Sequence, residues 1–180
     1  MGLAGNVRVR SSPEDFYPTP REYVMDILDR ETLRGSILEP ACGNGSIVKV
    51  LREYYPQSRI GRFDLYSQNP NIPRIDFLKY SGRWDNLITN PPYNQFLPFL
   101  EHSLEVAKDK VILLFPLTYL SGKGRYKSIY SRNPPARVYV YSQRICLNPG
   151  GGAKNRIDFV WGVWERGITS TTLKWIYKEV

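Results

Sequence analysis

The sequence predicts an α/β fold with a mostly parallel sheet that ends in an antiparallel pair of strands. Over the first two thirds of the chain, short apolar segments alternate with helix-like segments, which is typical of a parallel sheet covered by helices. Beyond that part, the β-rich segments ARVYVYSQRICL and RIDFVWGVWERG are joined by NPGGGAKN. Such a connection between two β-rich segments is typical of an antiparallel pair.

Three helices are predicted ahead of this pair. TPREYVMDILDRETLRG predicts a helix that Thr19 caps, that has Pro20 at its first position and that Gly35 ends. GNGSIVKVLREYY predicts a second helix after a glycine-rich turn. NQFLPFLEHSLEVAKD predicts a third, in spite of Pro98 in its first turns.

Four strands are predicted between these helices: SILEP, RIGRFDLY, DNLIT and KVILLFPL. The last is a continuous apolar run, as expected for a strand that is buried on both faces. In open sheets of this kind, ligands bind at the carboxyl ends of the strands, near the point where the strand order reverses. We therefore expect the functional residues in the loops that follow the first three strands.

The length of 180 residues favours one domain, residues 14–180, after a basic N-terminal arm, residues 1–13, that we expect to be flexible. No apolar run approaches the ~18 residues that a membrane span needs, and no export signal precedes the domain. Two cysteines, Cys42 and Cys146, are then expected to be reduced thiols in a cytoplasm.

The net charge and the histidine content bear on which partners and which kinds of active site are expected. A net charge of +8 favours polyanionic partners, although a basic surface can also serve solubility alone. The single histidine, His102, makes a histidine-based metal site or a Ser-His-Asp triad improbable, and we expect it on the surface of the third helix. No metal site is predicted.

The segment ILEPACGNGSIV places Gly43 and Gly45 between a strand and a helix, where glycines let the backbone turn tightly and let a ligand approach. Val48 stands where a dinucleotide fingerprint needs a third glycine, so a cofactor without a pyrophosphate fits better. Asp64, at the end of the next strand, is placed to bind both hydroxyls of a ribose.

Asp76 and Phe77 allow two interpretations. They can offer a carboxylate to an exocyclic amine and a ring to an adenine face. Equally, Asp76 can be a helix cap beside a core phenylalanine, because capping is a common use of Asp.

The segment NLITNPPYNQ ends a predicted strand with two prolines, which cannot continue a central strand or a helix. A Pro-rich turn is one interpretation. In the other, the side-chain oxygen of Asn90 and the carbonyl of Pro91 accept hydrogen bonds from a target amine. Pro92 then fixes the direction of that carbonyl, and Tyr93 stacks on a planar target.

The motifs EPACGNG and NPPY, with DFYPTP ahead of them, resemble the S-adenosylmethionine-dependent N6-adenine DNA methyltransferases in the gamma arrangement. The similarity covers Asp15 to about Leu120. It implies a Rossmann-like methyltransferase sandwich, S-adenosylmethionine as the cofactor, and a target base that flips out of the duplex into the NPPY pocket.

The resemblance also implies roles for individual residues. Phe16, Pro18 and Thr19 line the methionine end of the cofactor, and Glu39 meets its amino group. Ala41, Gly43 and Gly45 supply close backbone, and Asp64 binds the ribose. Asp76 and Phe77 flank the adenine, and Asn90, besides its catalytic role, also binds the cofactor.

NPPY also occurs in methyltransferases that act on protein glutamine and on RNA base amines, so these substrates stay open. Adenine in DNA is favoured by the segment ahead of the glycine-rich loop and by the basic charge. A non-catalytic, nucleic-acid-binding subunit of the same fold is a further alternative. The recognition sequence, the strand preference and the oligomeric state are left open.

No large target-recognition region fits in the chain, so sequence recognition either does not occur or comes from a partner chain, from NPGGGAKNR or from the segment SGKGRYKSIYSRNPPAR. Its candidate nucleic-acid-binding residues are basic or aromatic: Lys123, Arg125, Tyr126, Lys127 and Arg132, with Tyr130 and Arg137 beside them. A solvated surface loop is the alternative. Trp161, Trp164 and Trp175 are expected in the core of the last strands.

Overall fold

The computed structural model describes residues 18–143, 147 and 157–177, so the predicted arm 1–13, Phe16 and Cys146 lie outside the described residues. Seven strands form one sheet: β1 (Ile37–Glu39), β2 (Ile60–Arg62), β3 (Trp84–Thr89), β4 (Ala107–Pro116), β5 (Arg137–Tyr141), β6 (Phe159–Glu165) and β7 (Thr172–Ile176). Their order in the sheet is β2-β1-β3-β4-β6-β5-β7. β6 is antiparallel to both neighbours and all other pairs are parallel. The predicted α/β fold with an antiparallel pair is confirmed.

The described residues form α1 (Arg21–Leu28), which precedes β1, α2 (Ser46–Tyr54), α3 (Phe96–Val106) and α4 (Lys123–Arg125), which continues into a π-helical turn (Tyr126–Tyr130), besides short 3₁₀ helices. Among the described residues, no helix combines the length and apolar composition that crossing a bilayer requires.

The bounds predicted for the first helix were wrong. Pro20 is the residue at the N-cap, and the helix ends at Leu28 rather than at Gly35. Thr19 does not cap the helix because its hydroxyl accepts a hydrogen bond from the side chain of Asn90 instead. The stretch after Leu28 is a connection that carries Glu31 into a buried ion network.

The helices cover both faces of the sheet. α1 and α2 pack on the face that presents Ile37, Ile88 and Ile112. α3 packs on the opposite face, which presents Leu38, Leu87 and Leu113. β4 is buried on both faces from Val111 to Phe115, which explains why it is a continuous apolar run.

The environments of three tryptophans and of His102 agree only in part with those expected from the sequence. Trp161 and Trp164 are buried, as predicted, but Trp175 is 65% exposed. It lies on β7, an edge strand that the sequence analysis did not identify, beyond the helices that cover the sheet. His102 is also not a plain surface residue, since its ring lies edge-on to Phe77 and its Nε2 lies 2.8 Å from the Tyr80 carbonyl oxygen.

A buried ion network fixes the edge of the sheet opposite the carboxyl ends of the parallel strands. Glu31 is 3% exposed. Its carboxylate accepts hydrogen bonds from Nε and Nη2 of Arg137 and lies 3.2 Å from Lys110 Nζ. The Tyr139 hydroxyl donates to the same carboxylate at 2.8 Å, and Glu165 pairs with Arg137. Arg137 was predicted beside the nucleic-acid-binding residues, but this network uses its guanidinium, so that expectation was wrong.

Burial raises the pKa of Glu31, but the hydrogen bonds from Arg137 and Tyr139 outweigh it, and the pKa of the folded state is lowered. A lowered pKa means that the carboxylate stabilises the fold above the unfolded-state value of about 4.3. This contribution is lost as the pH falls through the lower pKa of the folded state.

Glu31→Gln should therefore lower the free energy of unfolding at neutral pH by about 3 kcal/mol, because it leaves buried cations without their carboxylate. Urea denaturation between acidic and neutral pH measures this, and the two curves should converge at acidic pH. Glu53→Gln is the matched control, since Glu53 pairs with Arg21 in an exposed position. An equal loss in both variants would contradict the role of the network.

Candidate active site

The strand order reverses between β1 and β3. From β1 the chain passes to β2 on one side, and later it returns to β3 on the other side. The loops after β1 and β3 therefore diverge and leave a crevice at their carboxyl ends, where ligands bind in open α/β sheets. The predicted site residues belong to these loops and to the segment that follows β2.

The loop after β1 depends on glycines with positive φ. Gly43 has φ 51° and Gly45, the N-cap residue of α2, has φ 82°. A Cβ atom at Gly45 would meet nothing nearer than Val48 Cβ at 4.0 Å, so backbone conformation rather than crowding requires the glycine. The side chain of Asn44 accepts from the amide and hydroxyl of Ser46, which satisfies a donor in the first turn of α2.

Asp64 holds two loops together. Its side chain is buried, and its Oδ2 accepts from the Gly43 amide at 2.8 Å while its Oδ1 accepts from the Tyr66 amide at 2.8 Å. Each carboxylate oxygen can accept more than one hydrogen bond, so this role leaves acceptor capacity for a ligand. Sequence analysis anticipated a ligand for Asp64 but missed its part in shaping the glycine-rich loop.

Glu39 lies buried beneath the same loop, and its Oε2 has no hydrogen-bond partner among the described residues. Burial raises the pKa of Glu39 well above its ordinary value, and the charge of Asp64 raises it further, against a backbone hydrogen bond from Val48. A buried polar atom without a partner is uncommon in folded proteins, and it marks a position that a polar ligand atom can satisfy.

The thiol of Cys42 is a candidate nucleophile in the same loop. Its side chain is buried, and burial, together with the charges of Glu39 and Asp64, raises the pKa of the thiol to about 12. The thiol is therefore protonated and unreactive at neutral pH. The described residues also contain no group of three or more His, Cys, Asp or Glu side chains that could hold a metal ion.

Asn90, the first residue after β3, is held on both sides of its amide. Its Nδ2 donates to Thr19 Oγ1 at 3.3 Å, and its Oδ1 accepts from the Tyr93 hydroxyl at 2.6 Å. The Tyr93 ring is half-buried against Phe159, 5.7 Å between centroids, and burial raises the pKa of its hydroxyl. The Tyr93 ring thus packs against Phe159 and its hydroxyl lies at the acceptor oxygen of Asn90, a contact that the sequence analysis did not anticipate.

The two prolines between Asn90 and Tyr93 do form a turn. Pro91 is buried, and Pro92 has an extended backbone and accepts from the Gln95 amide at 2.9 Å, which closes a 3₁₀ turn over Tyr93–Gln95. The turn and the catalytic interpretation are compatible, since Asn90 precedes the turn and its side chain bonds to Thr19 and Tyr93.

Two clefts open on either side of the glycine-rich loop. The first is lined by residues of several strand ends: Pro40, Ala41, Asp64, Leu65, Tyr66, Ile75, Asp76, Phe77, Leu78, Pro92, Asn94, Gln95 and Phe99. The second is lined by residues of α1 and α2 and their neighbours: Pro18, Thr19, Pro20, Arg21, Ser46, Lys49, Val50, Glu53 and Leu147. Of the predicted cofactor residues, Pro18 and Thr19 line one cleft and Ala41, Asp64, Asp76 and Phe77 line the other, whereas neither lining includes Glu39, Gly43, Gly45 or Asn90.

The structure is compatible with both interpretations of Asp76 and Phe77, the helix cap beside a core phenylalanine and the contact with a ligand. Asp76 caps a short 3₁₀ helix by accepting from the Leu78 amide, and Phe77 is 3% exposed in the core, as the capping interpretation predicts. Both residues nevertheless line the first cleft. Leu65 and Tyr66, which follow Asp64 there, were missed, although their position just after a strand end was the available signal.

The candidate nucleic-acid-binding residues do not share one environment. Lys123, Tyr126, Lys127 and Arg132 are exposed, which suits a surface role. Arg125 instead donates to the carbonyls of Ser121 and Thr118 and lies over the Tyr119 ring, so it supports the loop.

Tyr130 is also structural. It is half-buried and its hydroxyl donates to the Tyr119 carbonyl at 2.9 Å, which supports the loop, and stacking of its ring on a base stays a prediction.

No protein-family model and no curated protein matches the sequence. Among solved structures, a Listeria monocytogenes protein assigned to the class I S-adenosylmethionine-dependent methyltransferases is similar, with a TM-score of 0.62 and 13% identity over 86% of this chain and 62% of that one. The M protein of the type I restriction enzyme EcoKI has a TM-score of 0.66 and 13% identity over 90% of this chain and 48% of that one. Magnesium protoporphyrin IX methyltransferase from Synechocystis PCC 6803, solved with bound S-adenosylmethionine, has a TM-score of 0.53 and 14% identity over 81% and 79%.

The fold is therefore the Rossmann-like sandwich of these methyltransferases. The chain spans less than two thirds of the Listeria protein and about half of the EcoKI protein.

Asp64→Ala should loosen both loops that its carboxylate joins, because the Gly43 and Tyr66 amides lose their acceptor. Hydrogen exchange followed by mass spectrometry should be faster in the peptides that contain these residues. Asp76→Ala is the matched control: it removes the acceptor of the Leu78 amide and the ion pair with Lys79, and it should leave the Gly43 peptide unchanged. Unchanged exchange at Gly43 in Asp64→Ala would contradict the assigned role.

Proposed function

We propose that this protein is an S-adenosylmethionine-dependent methyltransferase that transfers a methyl group to the exocyclic N6 amine of adenine in DNA. One observation carries the proposal: Asn90 stands at the carboxyl end of β3, beside the glycine-rich loop, with its amide nitrogen held by Thr19 at 3.3 Å. That hydrogen bond directs the amide oxygen away from Thr19, and this oxygen, which accepts from the Tyr93 hydroxyl, keeps a second lone pair for a target amine. The fold shared with solved methyltransferases supports the proposal.

The residues around the glycine-rich loop fit the cofactor. Glu39 has a buried oxygen without a partner, which suits a cationic amino group. The cleft with Thr19 and Ser46 suits the methionine end, and the cleft with Asp64, Asp76 and Phe77 suits the adenosine end. S-adenosylmethionine, when bound there, supplies an electrophilic methyl group.

The work of the chain is to bind and orient the target amine. An aromatic amine is a weak nucleophile because its lone pair is delocalised into the ring. Acceptors on its two N–H bonds, here Asn90 Oδ1 and the Pro91 carbonyl, favour a tetrahedral nitrogen and stabilise the positive charge that develops on it. No strong base is needed, since the nitrogen loses its proton after the attack, and catalysis is mostly orientation and electrostatics.

Adenine in DNA is the substrate that the observations favour. The DFYPTP segment ahead of the glycine-rich loop resembles adenine methyltransferases, and the net charge of +8 suits a polyanion. A restriction-enzyme M protein among the similar structures supports the same choice. RNA base amines and protein glutamine are the alternatives, since both also present a planar amine.

Asn90→Ala should reduce methyl transfer by about 10²–10³-fold, because it removes an acceptor that acts most strongly on the charged transition state. Cofactor affinity should change little, because the lost interaction concerns the target. Methyl transfer to adenine-containing oligonucleotides and calorimetric titration with S-adenosylmethionine measure the two effects. Full activity would leave the NPPY segment as a turn only.

Asn90→Asp is the sharper variant at this position. It keeps the size of the side chain and an acceptor oxygen, and an adenine amine only donates hydrogen bonds. Residual activity above that of Asn90→Ala is therefore expected. Equal loss in both variants would mean that the donor to Thr19, rather than the acceptor, is what the reaction needs.

Tyr93 allows its ring and its hydroxyl to be tested separately. Tyr93→Ala should weaken target binding by ~1–3 kcal/mol, the contribution of one stacked base. Tyr93→Phe keeps the ring but removes the hydroxyl that bonds to Asn90 Oδ1, so target binding should be kept or improved. Equal weakening of oligonucleotide binding in both variants would mean that the hydroxyl, not the ring, holds the target.

A further inference from the structure

β7 exposes one apolar face at an edge of the sheet. Leu173, Trp175 and Tyr177 are 54%, 65% and 72% exposed, whereas Ile176, between two of them, is fully buried. Thr172 and Lys174, on the other face of the strand, are exposed as well, so β7 meets solvent on both faces until Ile176, and the apolar side chains lie on one of these faces. Leu173, Trp175 and Tyr177 are called the β7 row below.

The β7 row lies on the same face of the sheet as the basic segment, residues 121–133. Trp175 is in register with Val140, and the side chain of Val140 belongs to the same buried cluster as Ile129 of the basic segment. β7 is also parallel to β5, so its carboxyl end is at the edge of the sheet where Asn90 lies. Trp175 and Tyr177 stand near that end.

The surroundings of the β7 row are positively charged. The sequence has no Asp or Glu from Leu117 to Gln143, nor from Arg166 to Tyr177. On the basic segment, Lys123 and Lys127 are exposed, and Tyr126 between them is 62% exposed. Exposed rings and cations on the same face of the sheet complement a phosphate chain with unstacked bases.

A second copy of the chain fits this face less well. Two copies paired along β7 would bring like charges together with no acidic residue from these segments to meet them. β7 also carries an exposed Lys174, and lysine on an edge strand opposes edge-to-edge pairing. A polyanion would not be repelled by these positive charges, and it does not need to pair with the edge of β7.

We propose that the β7 row is a stacking platform for single-stranded nucleic acid, where Trp175 and Tyr177 bind bases that flank the target while Lys123 and Lys127 contact phosphates. This inference rests on the proposed function and adds a substrate class to it, since stacking on exposed rings requires unpaired bases. It also gives Trp175 a role opposite to the core position expected from sequence.

Fluorescence anisotropy with a fluorescein-labelled single-stranded oligodeoxynucleotide tests the platform. Trp175→Ala should weaken binding about tenfold, within the range for one base–aromatic stack. Trp175→Phe keeps a ring and should restore most of the affinity, whereas Leu173→Ala, in the same row but without a ring, should have little effect. The duplex of the same sequence should be less sensitive to Trp175→Ala. Circular dichroism and thermal unfolding confirm that each variant is folded.

Tryptophan fluorescence gives a second readout. Trp84, Trp161 and Trp164 are 5%, 0% and 3% exposed, so quenching by a bound single strand should come from Trp175 and disappear in Trp175→Phe. The double variant Lys123→Gln/Lys127→Gln should lower the log–log salt dependence of single-strand binding by about 1.4, at ~0.7 for each phosphate contact. Trp175→Ala should leave that slope unchanged, because stacking releases no counterions.

The outcomes separate this inference from the proposed function. Trp175-dependent binding without methyl transfer would support the platform and contradict the proposed function. Methyl transfer together with single-strand binding that is unchanged in Trp175→Ala would overturn the platform alone. A dimer in sedimentation that Leu173→Ala and Trp175→Ala both dissociate would overturn it too, in favour of a second copy.

Discussion

The parallel pairing of β1 with both β2 and β3 is the constraint on which the site depends. Ile37 is in register with Ile60 on one side and with Asn86 on the other, so the three strands end side by side. The loops after β1 and β3 leave in different directions and open the crevice, and Asp64 ties the loop after β1 to the end of β2. A glycine-rich loop, a buried carboxyl group and an orienting asparagine thereby meet without any of them being close in sequence.

α1 connects this site to the opposite edge of the sheet. At its start, Thr19 bonds to Asn90; beyond its end, Glu31 enters the network of Arg137 and Lys110. In between, the carbonyl of Tyr23 accepts from Trp161 Nε1 at 3.1 Å. The hydrogen bond that orients Asn90 thus starts from a helix that is fixed at both ends, so the orientation of the amide depends on the stability of the whole helix. Such support is what a preorganised acceptor requires.

Sequence reasoning predicted the parts of this structure that depend on local patterns. The apolar runs gave the central strands, and the glycine spacing and adjacent prolines marked the loops after β1 and β3. What it could not predict depends on contacts between distant segments. Thr19 is a residue type that often caps helices, yet its hydroxyl accepts a hydrogen bond from Asn90, which is distant in sequence. Arg137 lies in a basic stretch of sequence, yet its guanidinium forms ion pairs with Glu31 and Glu165. Trp175 is apolar, yet the order of the strands leaves it at an edge.

The proposed function is tested most directly by the position of the transferred methyl group. The protein is incubated with isotopically labelled S-adenosylmethionine and separate pools of DNA, RNA and protein, and the labelled product is identified by mass spectrometry after digestion. We expect label on the N6 amine of deoxyadenosine. Label on a glutamine or an RNA base would contradict the assignment of the substrate, and no label in any pool would contradict the assignment of a methyltransferase.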